Sequence, residues 1–171
     1  MKLEFPEKKH EQQYLEMIQE FLDNKEKIIP RAMPLKEWET YDQFLQRIQN
    51  SSKGKNLKPG RVPNTLYFLV DDNNKIVWGV HIRHKLNDEL RFDAGNIGYG
   101  IRPSERKKGY ATIGLKFALE KCKELWLDKV LLTCDKENIW SSKTIINNGW
   151  IRDSDYSSEW IAKERYRISI K

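Results

Sequence analysis

The sequence predicts a single α+β domain, with a mixed, mostly antiparallel central sheet flanked by helices. Three observations lead there. The first third carries two amphipathic helical stripes, and near residue 65 the apolar period switches from helical to strand-like. The second half then runs strand, helix, strand, helix, strand, strand, with room for one strand-helix-strand crossover. At 171 residues the chain is long enough for one well-packed core over its whole length, 1–171.

Taken in order, Tyr14, Met17, Ile18, Phe21 and Leu22 recur at three- and four-residue spacing, which predicts a helix over roughly Lys9 to Asp23. Trp38, Tyr41, Phe44, Leu45 and Ile48 repeat the pattern on a second helix. Gln49 to Asn64 is rich in Ser, Gly, Pro, Lys and Asn and reads as a loop long enough to face substrate. Thr65 to Val70 and Lys75 to Arg83 are strands joined by the turn Asp71-Asp72-Asn73-Asn74, which makes a hairpin. Leu86 to Asp93 fits a short helix or a loop. Asn96 to Arg102 is a strand stopped by Pro103.

A long helix follows, with Ala111, Leu115, Ala118, Leu119, Cys122 and Leu125 on one face. Lys129 to Cys134 is a continuous apolar run, as expected of a buried central strand. Ser141 to Asn148 is a short helix ended by Gly149. Trp150 to Arg152 and Glu159 to Ser169 close the chain as strands.

Composition narrows the function. Hydrophobic residues make up 39% and charged residues 33%, and no run approaches the apolar length of a membrane span. Met1 to Gln13 has charge but no apolar secretory core. The two cysteines, Cys122 and Cys134, lie inside apolar patterns, which suits buried free thiols in the cytoplasm. The net charge of +6 is spread along the chain without interleaved aromatics, so nucleic acid is the disfavoured partner and anionic ligands fit as well.

The informative stretch is Gly98 to Thr112, GYGIRPSERKKGYAT. Gly98 and Gly100 flank Tyr99 within the strand, where glycine marks a bulge or a close approach by a ligand. Arg106, Lys107 and Lys108 precede Gly109 at the start of the long helix. Unpaired N–H groups and the positive dipole end gather there, so three cations are locally unfavourable unless an anion joins them. A phosphate ligand would do so, and Gly109 and Ala111 would let it approach the backbone.

Arg106-Lys107-Lys108-Gly109-Tyr110-Ala111 resembles the acetyl-CoA signature of the GNAT acetyltransferases, Arg/Gln-x-x-Gly-x-Gly/Ala. Asn138 and Ser141 ahead of Asn148-Gly149-Trp150 are similar to a second segment of that family, and Ile82 to Asn87 with Ile97 to Thr112 look like a bacterial subgroup of it. The resemblance implies a GNAT-like sheet and acetyl-CoA as co-substrate. It also implies an amine acceptor attacked directly, and it is compatible with a homodimer. It implies that Gly100 and Ile101 hold the pantetheine arm as an added strand. The N–H groups of Lys107, Lys108, Gly109, Tyr110, Ala111 and Thr112 would hold the pyrophosphate, with charge from Arg106 and Lys108. Asn138 would contact the cofactor arm, although capping the following helix is a common job for asparagine.

Direct attack makes Cys122 and Cys134 poor nucleophiles. The family's tyrosine acid, seven residues after the motif asparagine, is Ile145 here, so water or another residue protonates the thiolate or it leaves without help; Tyr99 and Tyr110 are the tyrosines that could substitute. For the general base the candidates are His81, His84, Glu89 and Asp93. Alternation sets Ile76, Trp78, Val80 and Ile82 on a core face and His81 on the other, toward a cleft or water. Trp78 and Trp126 stand where the family has glycine. A non-catalytic acyl-CoA-binding module of the same fold is the runner-up.

Overall fold

A computed structural model describes residues 1–157 and 162–170. The hairpin expected from the turn at Asp71 forms from β2 (Asn64–Val70) and β3 (Ile76–Arg83), and β4 (Ile97–Ile101) extends it. A short β1 (Lys2–Glu4), which has too little pattern to be read from sequence, pairs outside β2. The order is β1-β2-β3-β4, antiparallel throughout.

Helices cover both faces. On one, α1 (Glu11–Asp23) and α2 (Tyr41–Ser52) bury Tyr14, Met17, Phe21 and Phe44 against Leu66, Phe68, Val70 and Ile76. On the other, α4 (Tyr110–Glu124) buries Leu115, Ala118 and Cys122 against Trp78, Val80 and Ile82. Thr40 caps α2 with a capping box, its hydroxyl accepting from the Gln43 N–H and the Gln43 side chain accepting in return. Trp38 therefore lies outside α2, not on it as its spacing suggested; it is 91% exposed with φ 61°.

β5 (Lys129–Asp135) pairs with β7 (Ala162–Ser169), which pairs with β6 (Ile151–Ser157), giving the order β5-β7-β6. The expected single mixed sheet is thus two antiparallel sheets, and β5 is an edge of the second rather than a central strand. Residues 159–161 of the last expected strand lie outside the described residues.

The two sheets are stitched at one point. Gly95 bridges Leu132. The Asn96 N–H donates to the Leu131 carbonyl at 2.6 Å, its Oδ1 accepts from the Leu131 N–H at 2.9 Å, and its Nδ2 donates to the Arg83 carbonyl at 3.1 Å. A Cβ at Gly95 would come 2.4 Å from the Leu131 carbonyl oxygen, so only glycine allows this approach. Beyond the stitch β4 and β5 part, with α4 between them in sequence and α5 (Ile139–Asn147) after β5. The segment left open as helix or loop holds a short helix, α3 (Asp88–Asp93), capped by Asn87.

Candidate active site

The parting of β4 and β5 opens a cavity of about 910 Å³. All five residues of β4 line one wall, and Leu132 to Asp135 of β5 line the other. β4 is the last strand of its sheet, so its outer backbone edge, including Gly100 and Ile101, faces this space without a strand partner.

At the far end of β4, Pro103–Glu105 form a 3-10 turn, and Lys107 (φ 63°) and Gly109 (φ 81°) adopt left-handed conformations leading into α4. The N–H groups of Thr112 and Ile113 both donate to the Gly109 carbonyl, which leaves those of Tyr110 and Ala111 as the free ends of the helix. A Cβ at Gly109 would meet nothing within 4 Å, so it is the backbone conformation, and not crowding, that selects glycine.

The cation cluster read from sequence lies at this end, but the protein supplies its own anions. Arg106 donates to Glu26 with both terminal nitrogens, at 2.7 and 2.5 Å. Lys108 donates to Glu105 at 2.8 Å. Glu105 is buried and also pairs with Lys75. Lys107 has no ion pair among the described residues and lines the cavity.

Behind the loop, buried Arg102 donates to Glu20 at 2.6 Å, to Gln13 at 2.9 Å and to Glu16 at 3.4 Å, while Glu20 accepts from the Ser104 N–H at 3.0 Å. These contacts tie the loop before α4 to α1. Sequence reading missed them; the only signal was an arginine at the strand end before Pro103.

The segment between α1 and α2 covers the cavity's other flank. Ile29 and Pro30 line it, and a Cβ at Gly100 would come 2.4 Å from the Ile29 carbonyl oxygen. A Cβ at Gly79 would come 2.8 Å from Met33 Sδ, whereas one at Gly98 would make only ordinary contact with Pro30 at 3.9 Å. Gly79 and Gly100 admit a covering loop, so the close approach expected at Gly100 includes one made by the chain itself, while Gly98 is not crowded.

That cover overturns one expectation. The His81 face of β3 is neither cleft nor water; His81 is 8% exposed and lines no part of the cavity. Neither ring nitrogen has a hydrogen-bond partner among the described residues. Burial, helped by Arg83, His84 and Arg61, pushes its pKa down to about 3. His84 is engaged by Thr65 Oγ1 at 2.8 Å. Glu89 is exposed on α3, and Asp93 is held by Lys163 at 2.6 Å. None of the four base candidates lines the cavity.

Tyr99 does. Its hydroxyl is 2.9 Å from Ser141 Oγ on α5, joining the two walls. Its ring packs on Trp78 at 5.6 Å between centroids. Burial raises the Tyr99 pKa and the Ser141 hydrogen bond opposes it, so the phenol keeps its proton at neutral pH. Asn138 caps α5, its Oδ1 accepting from the Ser141 N–H at 3.0 Å, and it also lines the cavity. Ile145 is fully buried in the core and lines none of it. Cys134 lines the cavity, but burial and Glu164 push its thiol up to about 11; burial alone pushes Cys122 up to about 12.

Comparison with known proteins bears on the fold. Spermidine N-acetyltransferase SpeG from Vibrio cholerae, as a variant, superposes with a TM-score of 0.67 at 17% identity, over 99% of this chain and 95% of that one. The same enzyme in complex with CoA and spermine gives 0.64 at 16%, over 99% and 95%. Ribosomal-protein-S5-alanine acetyltransferase from Vibrio fischeri gives 0.67 at 15%, over 98% and 92%. No curated protein matches by sequence. At such identities the likeness establishes the fold. The family follows from the sequence itself: residues 8–151 match the acetyltransferase (GNAT) domain model, a span that begins just before α1, crosses the α4 loop and ends at β6, so the chain belongs to the GNAT acetyltransferases, enzymes that draw their acyl group from acetyl-CoA.

Proposed function

We propose that this acetyltransferase moves an acetyl group from acetyl-CoA to a primary amine in the cavity between β4 and β5, with Tyr99 as the proton donor to the leaving sulfur. The observation that carries the reading is the Tyr99–Ser141 hydrogen bond. It holds a neutral phenol inside a cavity whose one end is formed by the free N–H groups of α4. When bound, acetyl-CoA supplies an activated acyl group and a thiolate leaving group.

The residues present fit that co-substrate. The left-handed Gly109, open in the direction of its missing side chain, leaves the α4 N–H groups clear for pyrophosphate. Lys107 adds an unpaired charge, and Arg106 adds another once it exchanges Glu26 for phosphate. The free edge of β4 at Gly100 and Ile101 offers backbone groups to an extended pantetheine arm. Asn138 and Ser141 close the opposite wall from the start of α5.

Tyr99 would do the work that the family gives to the position of Ile145. Ser141 orients the phenol, and Trp78 fixes the plane of its ring. No buried base is needed if the amine arrives already neutral, or loses its proton through solvent at the open end. Two buried free thiols fit the reducing cytoplasm. The test is CoA release from acetyl-CoA across an amine panel, with product mass confirming a single added acetyl group. Acetyl-CoA binding without transfer to any amine would contradict the reading.

A further inference from the structure

The cavity is electrically lopsided along β4. Its cofactor end, near Ile101, holds Arg106 and Lys107 together with the carboxylates of Glu26 and Glu105. Its other end begins at Ile97, about 13 Å away along the four residue steps of β4, next to the stitch at Gly95. There Arg31, Arg83 and Lys163 contribute to the lining. The carboxylate nearest that end, Asp93, is already taken by Lys163 at 2.6 Å. Asp135, the remaining acidic residue of the lining, lies at the last position of β5, beside the start of α5.

Arg83 is partly buried and has no carboxylate partner among the described residues. One terminal nitrogen donates to the Gly95 carbonyl at 2.8 Å, and the rest of its fork has no hydrogen-bond partner among the described residues. Arg31 has no ion pair among the described residues either and lies on the covering segment after Pro30. Burial lowers the Arg83 pKa, the nearby charges of Arg61 and Arg31 lower it further, and the carboxylate of Asp93 opposes them. Arg31 is exposed and Arg83 half-buried, so the cost of an unpaired charge falls on Arg83, and an anion reaching both would relieve it. A guanidinium fork matches a carboxylate with two parallel hydrogen bonds.

We propose that the acceptor is an amine that carries its own carboxylate, paired by Arg31 and Arg83 at the Gly95 end while its amino group reaches the carbonyl beside Tyr99. This rests on the N-acetyltransferase reading above and narrows its acceptor. A polyamine is the opposite case. It would bring several positive charges to a wall with two guanidinium groups that have no ion pair among the described residues, beside an Asp93 already held by Lys163.

The experiment compares standard L-amino acids, their amides and spermidine as acceptors with acetyl-CoA. The comparison is made in the natural protein, in Arg31→Ala and in Arg83→Gln, the last keeping a donor for the Gly95 carbonyl. The expected result is at least one amino acid used about tenfold or more above its amide in kcat/KM. That ratio should fall toward one in both variants, with acetyl-CoA affinity unchanged. Preference for spermidine or for the amides, or a ratio untouched by both substitutions, overturns the inference and leaves the transferase reading standing. If no amine is acetylated, that reading fails instead. Calorimetry of the amino acids and amides on the CoA-loaded protein then decides the acceptor claim: tighter binding of the carboxylate forms supports it, and equal or absent binding overturns it.

Discussion

Replacing Tyr99 by phenylalanine isolates the proton donor. The ring and its packing on Trp78 survive, and only the hydroxyl that meets Ser141 Oγ at 2.9 Å is removed. Losing one neutral hydrogen bond costs about 0.5–1.5 kcal/mol of stability, which a folded domain of this size tolerates. A positioned general acid contributes about 100- to 10,000-fold, or roughly 3–5 kcal/mol of barrier. Single-turnover transfer at saturating acetyl-CoA, using the amine that the natural protein acetylates fastest, should therefore fall by at least about 100-fold. Acetyl-CoA affinity and the acceptor KM should stay near their original values. Ser141→Ala, which only releases the phenol, should lose less. A Tyr99→Phe enzyme within about threefold of the natural rate would refute the assignment, and a defect confined to KM would make Tyr99 a positioning residue.

Glu26→Gln frees Arg106, whose ion pair is more than a third exposed on both sides and so is worth about 0.2–1 kcal/mol; CoA should bind up to about fivefold more tightly by calorimetry. Trp126 ends α4 with φ 58° and 91% exposure, so Trp126→Gly removes left-handed strain of roughly 1–2 kcal/mol against a glycine entropy cost of about 0.5–1 kcal/mol, and urea unfolding should show a small gain or no change. Buried His81 titrates far below its unfolded value near 6.5, so it favours the fold above that pH and weakens it as pH falls from there toward 3. The natural protein should lose up to about 1.4 kcal/mol per pH unit in that window relative to His81→Leu, and parallel pH dependences in urea melts would contradict this. Ile145→Tyr should lower stability through overpacking by roughly 1–3 kcal/mol without raising the transfer rate, because Ile145 points into the core.

Much of this was legible in the sequence because local rules coincide with the tertiary result. The switch of period at Thr65 and the Asp-Asn turn fixed the hairpin, and the Arg106 to Ala111 motif identified the helix start that frames the cavity. Local pattern failed where a distant segment decides. The His81 face looked half-polar because its cover is not a periodic element but the irregular segment carrying Pro30 and Met33. Glu26 and Glu20 belong to no motif, and nothing local tells that they reach Arg106 and Arg102, 80 and 82 positions away.

Trp78 read as a departure from the family, and its compensation lies on another element. A Cβ at Gly114 on α4 would come 2.9 Å from the indole ring, so the large residue on β3 and the small one on α4 form a single packing unit. The same indole supports Tyr99, which links this departure to the one at Ile145.

The most direct test of the central claim is a calorimetric titration of acetyl-CoA into the natural protein and into Gly109→Val. Valine has space there but cannot hold φ 81° without strain, so the N–H groups at the start of α4 should lose their alignment while the rest of the fold stays intact. The account predicts one site in the natural protein and an affinity at least about tenfold weaker in the folded variant, a loss of about 1.4 kcal/mol. Equal affinities in two folded proteins would contradict it.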